Sequence, residues 1–430
     1  MADIHAPAAQ AFSSSSISQA NRVFGFRDQM ALWFSLGVGL LVMQVGAYLM
    51  PGLSPGLAAL AIVVGSVLGA LILATTARLG QQTGQSSAGI IELGFGSAFG
   101  KVPIILNIIQ LLGWTAFEIA VMRDGTLAVM KQWLGLEGSA LAIFFATALW
   151  GGFLLLLMLG KMTSLVRQFL SRIGLPLVII SLLWLTYVFV SESNAKGWGT
   201  LLSTTGTGKM GFWSGVDLVI AMPISWLPLV ADYARYGRTA KGSFGGTFVG
   251  YVFANIWCYA LGVLIIINQP SGDLVTGLLL AQFGLIALSL IIIDELDNAY
   301  GDLHSGSVSS ERLISGLSLT TRGLVLGVVS IAIASSIDMR AIEPFILYLS
   351  SVFVPLFGVI LANYQSIKRR ALTNDGVSAL HVGPVLSWFV GIAVYYGAKL
   401  YYPDFGSALP SLIISFVLAK ILVILSDERS

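Results

Sequence analysis

Apolar residues run through this chain in long blocks separated by short polar stretches. The blocks are too long for buried strands and too uniformly apolar for the surface helices of a soluble domain. A helix that crosses the hydrocarbon core of a bilayer needs about 20 mostly apolar residues. Twelve segments meet that length: 29–50, 56–78, 102–130, 139–160, 173–191, 213–234, 244–268, 276–300, 322–338, 342–365, 384–402 and 408–426. Each is predicted to be helical, because a helix satisfies its own backbone hydrogen bonds inside lipid. A barrel would show alternating segments of about ten residues instead. The polar stretch 1–28, with the run Ser13–Ser16, has no short apolar core followed by a cleavage site and reads as a flexible cytoplasmic tail. Residues 427–430 form the opposite tail.

The basic residues orient the chain. With the N-terminus in the cytoplasm, Arg22, Arg27, Arg78, Lys101, Lys161, Arg167, Arg172, Arg235, Arg238, Lys241, Arg312, Arg322, Lys368, Arg369 and Arg370 all fall inside, joined by Lys420 and Arg429. Only Lys131, Lys196, Lys209, Arg340 and Lys399 fall outside. That asymmetry fits an even number of spans with both termini in the cytoplasm of a cell whose inner membrane holds the protein. Ten spans divide into two halves, 29–191 and 213–365, with 384–426 left over. Five spans separate the first from the sixth, so the two run in opposite directions. Both carry helix-breaking residues: Gly37 and Gly39 in the first, Pro223 and Pro228 in the sixth. Interrupted helices at matching places in two inverted halves point to a transporter binding site. Two kinked packing helices are the plainer reading.

Composition agrees and narrows the classes. The 430 residues are 56% hydrophobic and 10% charged, with mean hydropathy +0.86, whereas soluble domains carry about 25% charged residues. A net charge of +2 gives no reason to expect a nucleic-acid partner. The single cysteine, Cys258, excludes an intramolecular disulfide and a cage of cysteine ligands. His5, His304 and His381 are far apart and read as solvated tail or loop residues; Asp302 and His304 are expected at the cytoplasmic surface. No cofactor is expected, and no metal beyond a possible sodium ion.

Polar residues inside apolar blocks carry the candidate chemistry. In the third span, Asn107, Gln110, Trp114 and Glu118 follow at spacings of three, four and four, one face of a helix. A carboxylate at that depth costs at least a few kcal/mol unless it faces a cavity or a partner. Trp114 offers a flat surface for a planar ligand, and Glu118 can accept from ring N–H or amino groups. Alternatively Trp114 is packing and Glu118 pairs with Arg123. Late in the eighth span, Asp294, Glu295, Asp297 and Asn298 are clustered. Three carboxylates this close need a cation or a proton if they lie in the membrane; if the helix ends earlier, they are hydrated. In the sixth span, the segment Pro223-Ile224-Ser225-Trp226-Leu227-Pro228 should expose backbone groups and a second indole. Asp232, Tyr233, Arg235 and Arg238 follow as anchors or gate contacts.

Gly113-Trp114, the run Ser225-Trp226-Leu227-Pro228 before Ala231-Asp232-Tyr233 with Arg235-Tyr236-Gly237-Arg238, and Asp297-Asn298-Ala299 resemble the nucleobase–cation symporter-1 family of cytosine, purine, allantoin and hydantoin permeases. Leu32-Trp33-Phe34 followed by Gly37 resembles its hydroxymethylpyrimidine branch. The resemblance covers most of residues 25–426. It implies an all-α polytopic membrane protein with a LeuT-type five-plus-five inverted repeat, two further C-terminal helices, and a planar heterocycle held between the first, third, sixth and eighth spans. By the same resemblance, Gln110, Trp114, Glu118, Gly39, Pro223, Ser225 and Trp226 bind substrate. The backbone near Ser35 and Val38, with Asp294 and Glu295 in place of the family's hydroxyl pair, would hold the coupling ion. Carboxylates there imply a proton or a modified sodium site. The function expected is cation-coupled import of a nucleobase or related heterocycle by alternating access. An amino-acid or amine permease of the same architecture is the alternative. An intramembrane enzyme is a third reading, although no HExxH motif is present and no histidine lies in a predicted span. Oligomeric state is left open.

Overall fold

The computed structural model describes residues 16–136, 138–160, 174–269, 274–373 and 377–427. The expectations for His5, Ser13 to Ser15, Lys161, Arg167, Arg172 and Arg429 lie outside these residues. The described chain is helical apart from connections and one isolated bridge between Phe24 and Gly237.

Eight helices are long and apolar enough to cross a membrane by themselves, and the broken first pair makes a ninth. In order, the spans are Phe26–Ser35 with Leu40–Tyr48, Pro55–Thr83, Lys101–Leu134, Ala140–Leu157, Leu175–Lys196, Phe212–Ser225 with Leu227–Ala234, and Ala240–Asn268. Gly284–Ser310, Leu319–Ala334, Ile342–Ala362, Val382–Tyr401 and Ala408–Asp427 complete the twelve. Hydroxyl caps start several of them where an apolar block begins. Ser54, Ser139, Thr239 and Ser318 each accept from the amide three residues on, an orphan donor of the first turn. Gly84 and Gly135, with φ of 68° and 64°, end the second and third spans in the left-handed region.

The packing repeats with a shift of five. The first span lies on the seventh and the sixth on the second, while the third packs along the eighth and the second along the seventh. Short helices also match: Ser87–Phe95 links spans two and three, and Leu274–Leu280 links seven and eight. The eleventh and twelfth spans pack on the tenth, outside the repeat.

Small residues make the central contacts possible. On the seventh span Gly246, Gly250, Ala254, Cys258 and Gly262 recur every fourth residue and form one ridge. A Cβ at Gly250 would stand 2.3 Å from the Met30 carbonyl oxygen, and one at Gly262 would stand 1.9 Å from that of Met43. The ridge therefore holds both halves of the broken first span at backbone distance. Gly65 and Gly69 do the same for the sixth span, against Val219 and the ring of Pro223.

Three expectations change. The eighth span is Gly284–Ser310 rather than 276–300, and Leu274–Leu280 is a separate helix ahead of it. Its last turns are rich in glycine and serine, so their hydropathy falls, yet small side chains let them stay buried beside the third span. Ser307 donates to the Leu303 carbonyl, and Ser309 accepts from Asn107. The ninth span is Leu319–Ala334 rather than 322–338. The segment 1–28 is not a free tail from Ser16 onward. The Ile17 amide donates to Gly84, the Phe24 amide donates to Tyr236, and helix begins at Phe26.

Candidate functional site

The first span breaks over Leu36–Gly39, and its halves meet at 61°. A break leaves carbonyls of the first half and amides of the second without helical partners. The eighth span supplies those partners. The Leu40 amide donates to Glu295 Oε1, and Asn298 Nδ2 donates to the Val38 carbonyl (3.1 Å) and to Glu295 Oε2 (3.1 Å). Ser35 Oγ donates to Asp294 Oδ1 at 3.2 Å. The Glu295 carboxylate thus sits at the N-terminus of Leu40–Tyr48, where helix amides and dipole favour negative charge. A Cβ at Gly39 would stand 2.8 Å from Glu295 Oε1, so any larger residue here pushes the carboxylate back.

The sixth span is interrupted more gently. Pro223 removes the amide that would pair the Val219 carbonyl, and Tyr259 Oη donates there instead at 3.0 Å. Trp226 stands between the two helical halves, which remain close enough to collinear to form one 23-residue span. Two side-chain amides of the third span brace this region: Gln110 Nε2 donates to the Ser225 carbonyl (3.1 Å) at the break, and Asn107 Nδ2 donates to the Pro228 carbonyl (3.1 Å) in the first turn beyond it.

Between these elements lies a small hollow of about 10 Å³, room for about one water molecule while the spans are closed around it. Gly39 and Leu36 line it from the first span, Trp114 and Glu118 from the third, Ser225 and Trp226 from the sixth, and Glu295, Asn298 and Asp302 from the eighth. Three carboxyl groups and no basic side chain line it. Trp114 packs edge-on against Phe345 (5.3 Å, 73°), and Trp226 edge-on against Trp33 (6.0 Å, 85°). Glu118 is 4% exposed, and its Oε2 has no protein partner; neither does Asn298 Oδ1 nor Trp114 Nε1. The Glu118 carboxyl lies beside that of Glu295, within reach of a hydrogen bond. Leu41 lines both this hollow and a larger vestibule bounded by Gln44, Tyr48, Asp124, Thr276 and Arg340.

The residues singled out from the sequence divide into three groups. Trp114, Glu118, Gly39, Ser225 and Trp226 line the hollow. Gln110 does not; it braces the sixth span. Pro223 does not either, because its ring is packed on Gly69. Ser35, Val38, Asp294 and Glu295 converge at the break. Glu118 does not pair with Arg123, whose Nε meets Asp124 (2.6 Å) and whose guanidinium reaches the Ala334 carbonyl. The surface position expected for Asp302 and His304 is overturned. Both are buried, and His304 lies 5.8 Å from the rings of Tyr233 and Tyr300. The signal for Asp302 was available: Glu295, Asn298 and Asp302 follow at three and four, one helix face. Phe345 carried no such signal, because a phenylalanine in an apolar block looks like packing.

The pattern of the family described as permeases for cytosine/purines, uracil, thiamine and allantoin matches residues 16–292. The chain belongs to this family. The permease is 22% identical over 373 residues to a putative purine-cytosine permease of Bacillus subtilis, YxlA, covering 80% of this chain and 76% of that one. It is 25% identical over 336 residues to the cytosine permease of Escherichia coli K12, covering 76% and 75%. Its fold is similar to Mhp1, a nucleobase-cation-symport-1 family transporter solved in a closed conformation with bromovinylhydantoin bound. The TM-score is 0.79 at 14% identity, over 97% of this chain and 96% of that one. The permease is therefore a multi-pass membrane transporter of the LeuT-type architecture, with ten spans in the repeat and two beyond it. Fold and family are those of secondary transporters, not of enzymes.

Proposed function

We propose that this permease imports a nucleobase or a nitrogen heterocycle of similar size, coupled to a proton, by alternating access. The observation that carries the reading is the hollow at the broken first span, where two indoles and an unpartnered carboxyl oxygen meet. Trp114 and Trp226 offer apolar, π-rich walls to a flat ring. Glu118 accepts from an N–H of its edge, Trp114 Nε1 donates, and Asn298 Oδ1 is a second acceptor.

The choice of proton rests on the break. A hydrogen bond between two carboxyl groups requires that one of them carry a proton, and Glu118 and Glu295 are placed to share one. The backbone that would serve sodium is engaged elsewhere: the Val38 carbonyl accepts from Asn298, and the Ser35 carbonyl from the Val38 amide. Asp294 with Ser35 is the remaining place for a modified sodium site. Opening to the inner side would draw the first span away from the eighth, take the Leu40 amide and the Val38 carbonyl from Glu295 and Asn298, and expose the shared proton and the cargo together. In this reading 29–191 and 213–365 are the halves that rearrange. The protein lies in the inner membrane with both termini in the cytoplasm, consistent with the basic residues.

Uptake of radiolabelled cytosine, adenine, hypoxanthine, uracil and hydroxymethylpyrimidine into proteoliposomes tests the proposal, with proton and sodium gradients imposed separately. Concentrative uptake of at least one base under a proton gradient alone is expected. Uptake that needs sodium and ignores the proton gradient would reassign the coupling. No uptake of any of these compounds would remove the cargo assignment.

A further inference from the structure

In a carrier with a broken first span, the N-terminus of the outer half-helix attracts anions, through its free amides and its dipole. Here a side chain of the protein already occupies it. Glu295 Oε1 accepts from the Leu40 amide, Oε2 accepts from Asn298, and the missing side chain of Gly39 makes room for the carboxylate. The neighbouring Glu118 is 4% exposed, lines the same hollow and leaves one carboxyl oxygen without a partner. Asp302 is the third carboxyl on the wall, and no lysine or arginine lines it.

We infer that Glu295 is a tethered anion that sets the charge of the cargo. It fills the seat a substrate carboxylate would take, so the permease excludes carboxylate-bearing molecules and accepts neutral or positively charged heterocycles that present N–H donors to Glu118. The inference rests on the import reading above and adds a specificity-determining residue to it. The physical basis is simple. The hollow measures only about 10 Å³ and Glu295 is on its wall, so a cargo that enters it brings any second negative charge within a few ångströms of Glu295, with little water between them. Like charges so placed repel strongly. A cargo that brings N–H groups instead completes Glu118, whose buried oxygen otherwise stays unpaired. The same seat explains why an amino-acid permease is the poorer reading: its substrate would need its carboxylate where Glu295 already stands.

The test uses the full-length protein in detergent or nanodiscs and equilibrium binding of pairs matched in size but not in charge. One set is cytosine, 5-hydroxymethylcytosine and 5-carboxycytosine; the other is 6-(hydroxymethyl)uracil and orotate. The expected result for the wild type is binding of at least one neutral base, with its carboxylated partner weaker by at least about tenfold. Glu295→Gln, which keeps the shape and one acceptor, should narrow that gap at least tenfold. Glu295→Ala, which opens the seat, should narrow it further by gain of carboxylate binding. A merely structural role would weaken both members of a pair equally. Wild-type protein that binds a carboxylate as tightly as its neutral partner overturns the inference and leaves the import reading standing. So does an unchanged ratio in both variants. Monodisperse wild-type protein that binds none of the five compounds removes the cargo reading, and this inference with it.

Discussion

Gly39→Ala tests the geometry at the break with one methyl group. The glycine has φ 165° and ψ 161°, extended backbone that alanine adopts freely, so any effect comes from the side chain alone. The new Cβ would stand 2.8 Å from Glu295 Oε1 and 3.0 Å from Oε2, and ordinary contact begins near 3.4 Å. The carboxylate must therefore withdraw by about 0.6 Å. It is held by the Leu40 amide and by Asn298, so withdrawal weakens at least one hydrogen bond to a charged group, worth about 1.5–3 kcal/mol. Since 1.4 kcal/mol is a factor of ten, base binding to the conformation closed over the first span should weaken by roughly 10- to 150-fold. The assay is a double-mutant cycle on cytosine binding: wild type, Gly39→Ala, Glu295→Ala and the pair, each checked for monodispersity. With Glu295 shortened to alanine the collision disappears, and Gly39→Ala should then cost less than about 0.5 kcal/mol. Equal cost in both backgrounds would refute the contact; no cost in either would refute the role of the break.

Other outcomes follow from the same geometry. Trp114→Ala should weaken base binding by about 1–3 kcal/mol, the range for base–aromatic stacking; unchanged affinity in a titration would leave Trp114 as packing only. Glu118→Gln removes the second carboxyl of the pair, so uptake should no longer accelerate when an inward proton gradient is imposed on proteoliposomes, and a retained response would take Glu118 out of coupling. Gly250→Val places carbon atoms inside contact distance of the Met30 carbonyl and should lower stability by about 1–3 kcal/mol or more, read as a lower Tm in detergent; an unshifted Tm would mean the seventh span does not hold the first at backbone distance. Tyr259→Phe leaves the Val219 carbonyl unpaired beside Pro223 and should cost about 1–3 kcal/mol, measured the same way, while a neutral result would show that water serves that carbonyl.

Much of this architecture is legible from apolar block length, because a bilayer imposes one length on every crossing helix. The reading fails where polarity and depth part company. The stretch from Gly301 to Ser310 is too polar for a hydropathy reading, yet it is buried, because glycine and serine there let the third span come close and return their hydroxyls to the helix itself. That one misplacement also sent Asp302 and His304 to the surface. The stripe of Asn107, Gln110, Trp114 and Glu118 is one buried face of the third span, but the face is divided by depth. Its first two members brace the sixth span, and its last two reach the hollow. Spacing alone cannot show where along a stripe the neighbouring helix falls away. The meeting of Glu295 with Leu40 spans 255 positions of sequence, and it depends on the 61° bend, which no local pattern encodes.

The small-residue ridge of the seventh span has a practical use. Cys258, the chain's one cysteine, is a member of that ridge and fully buried in it. Thiol reagents applied to the folded protein in this state therefore find nothing to react with. In this closed state the natural sequence offers no accessible thiol, so a cysteine introduced at Gln44 or Thr276 on the vestibule wall should take a spin label or fluorophore alone. Distances that report opening and closing then become measurable without first engineering the native thiol away.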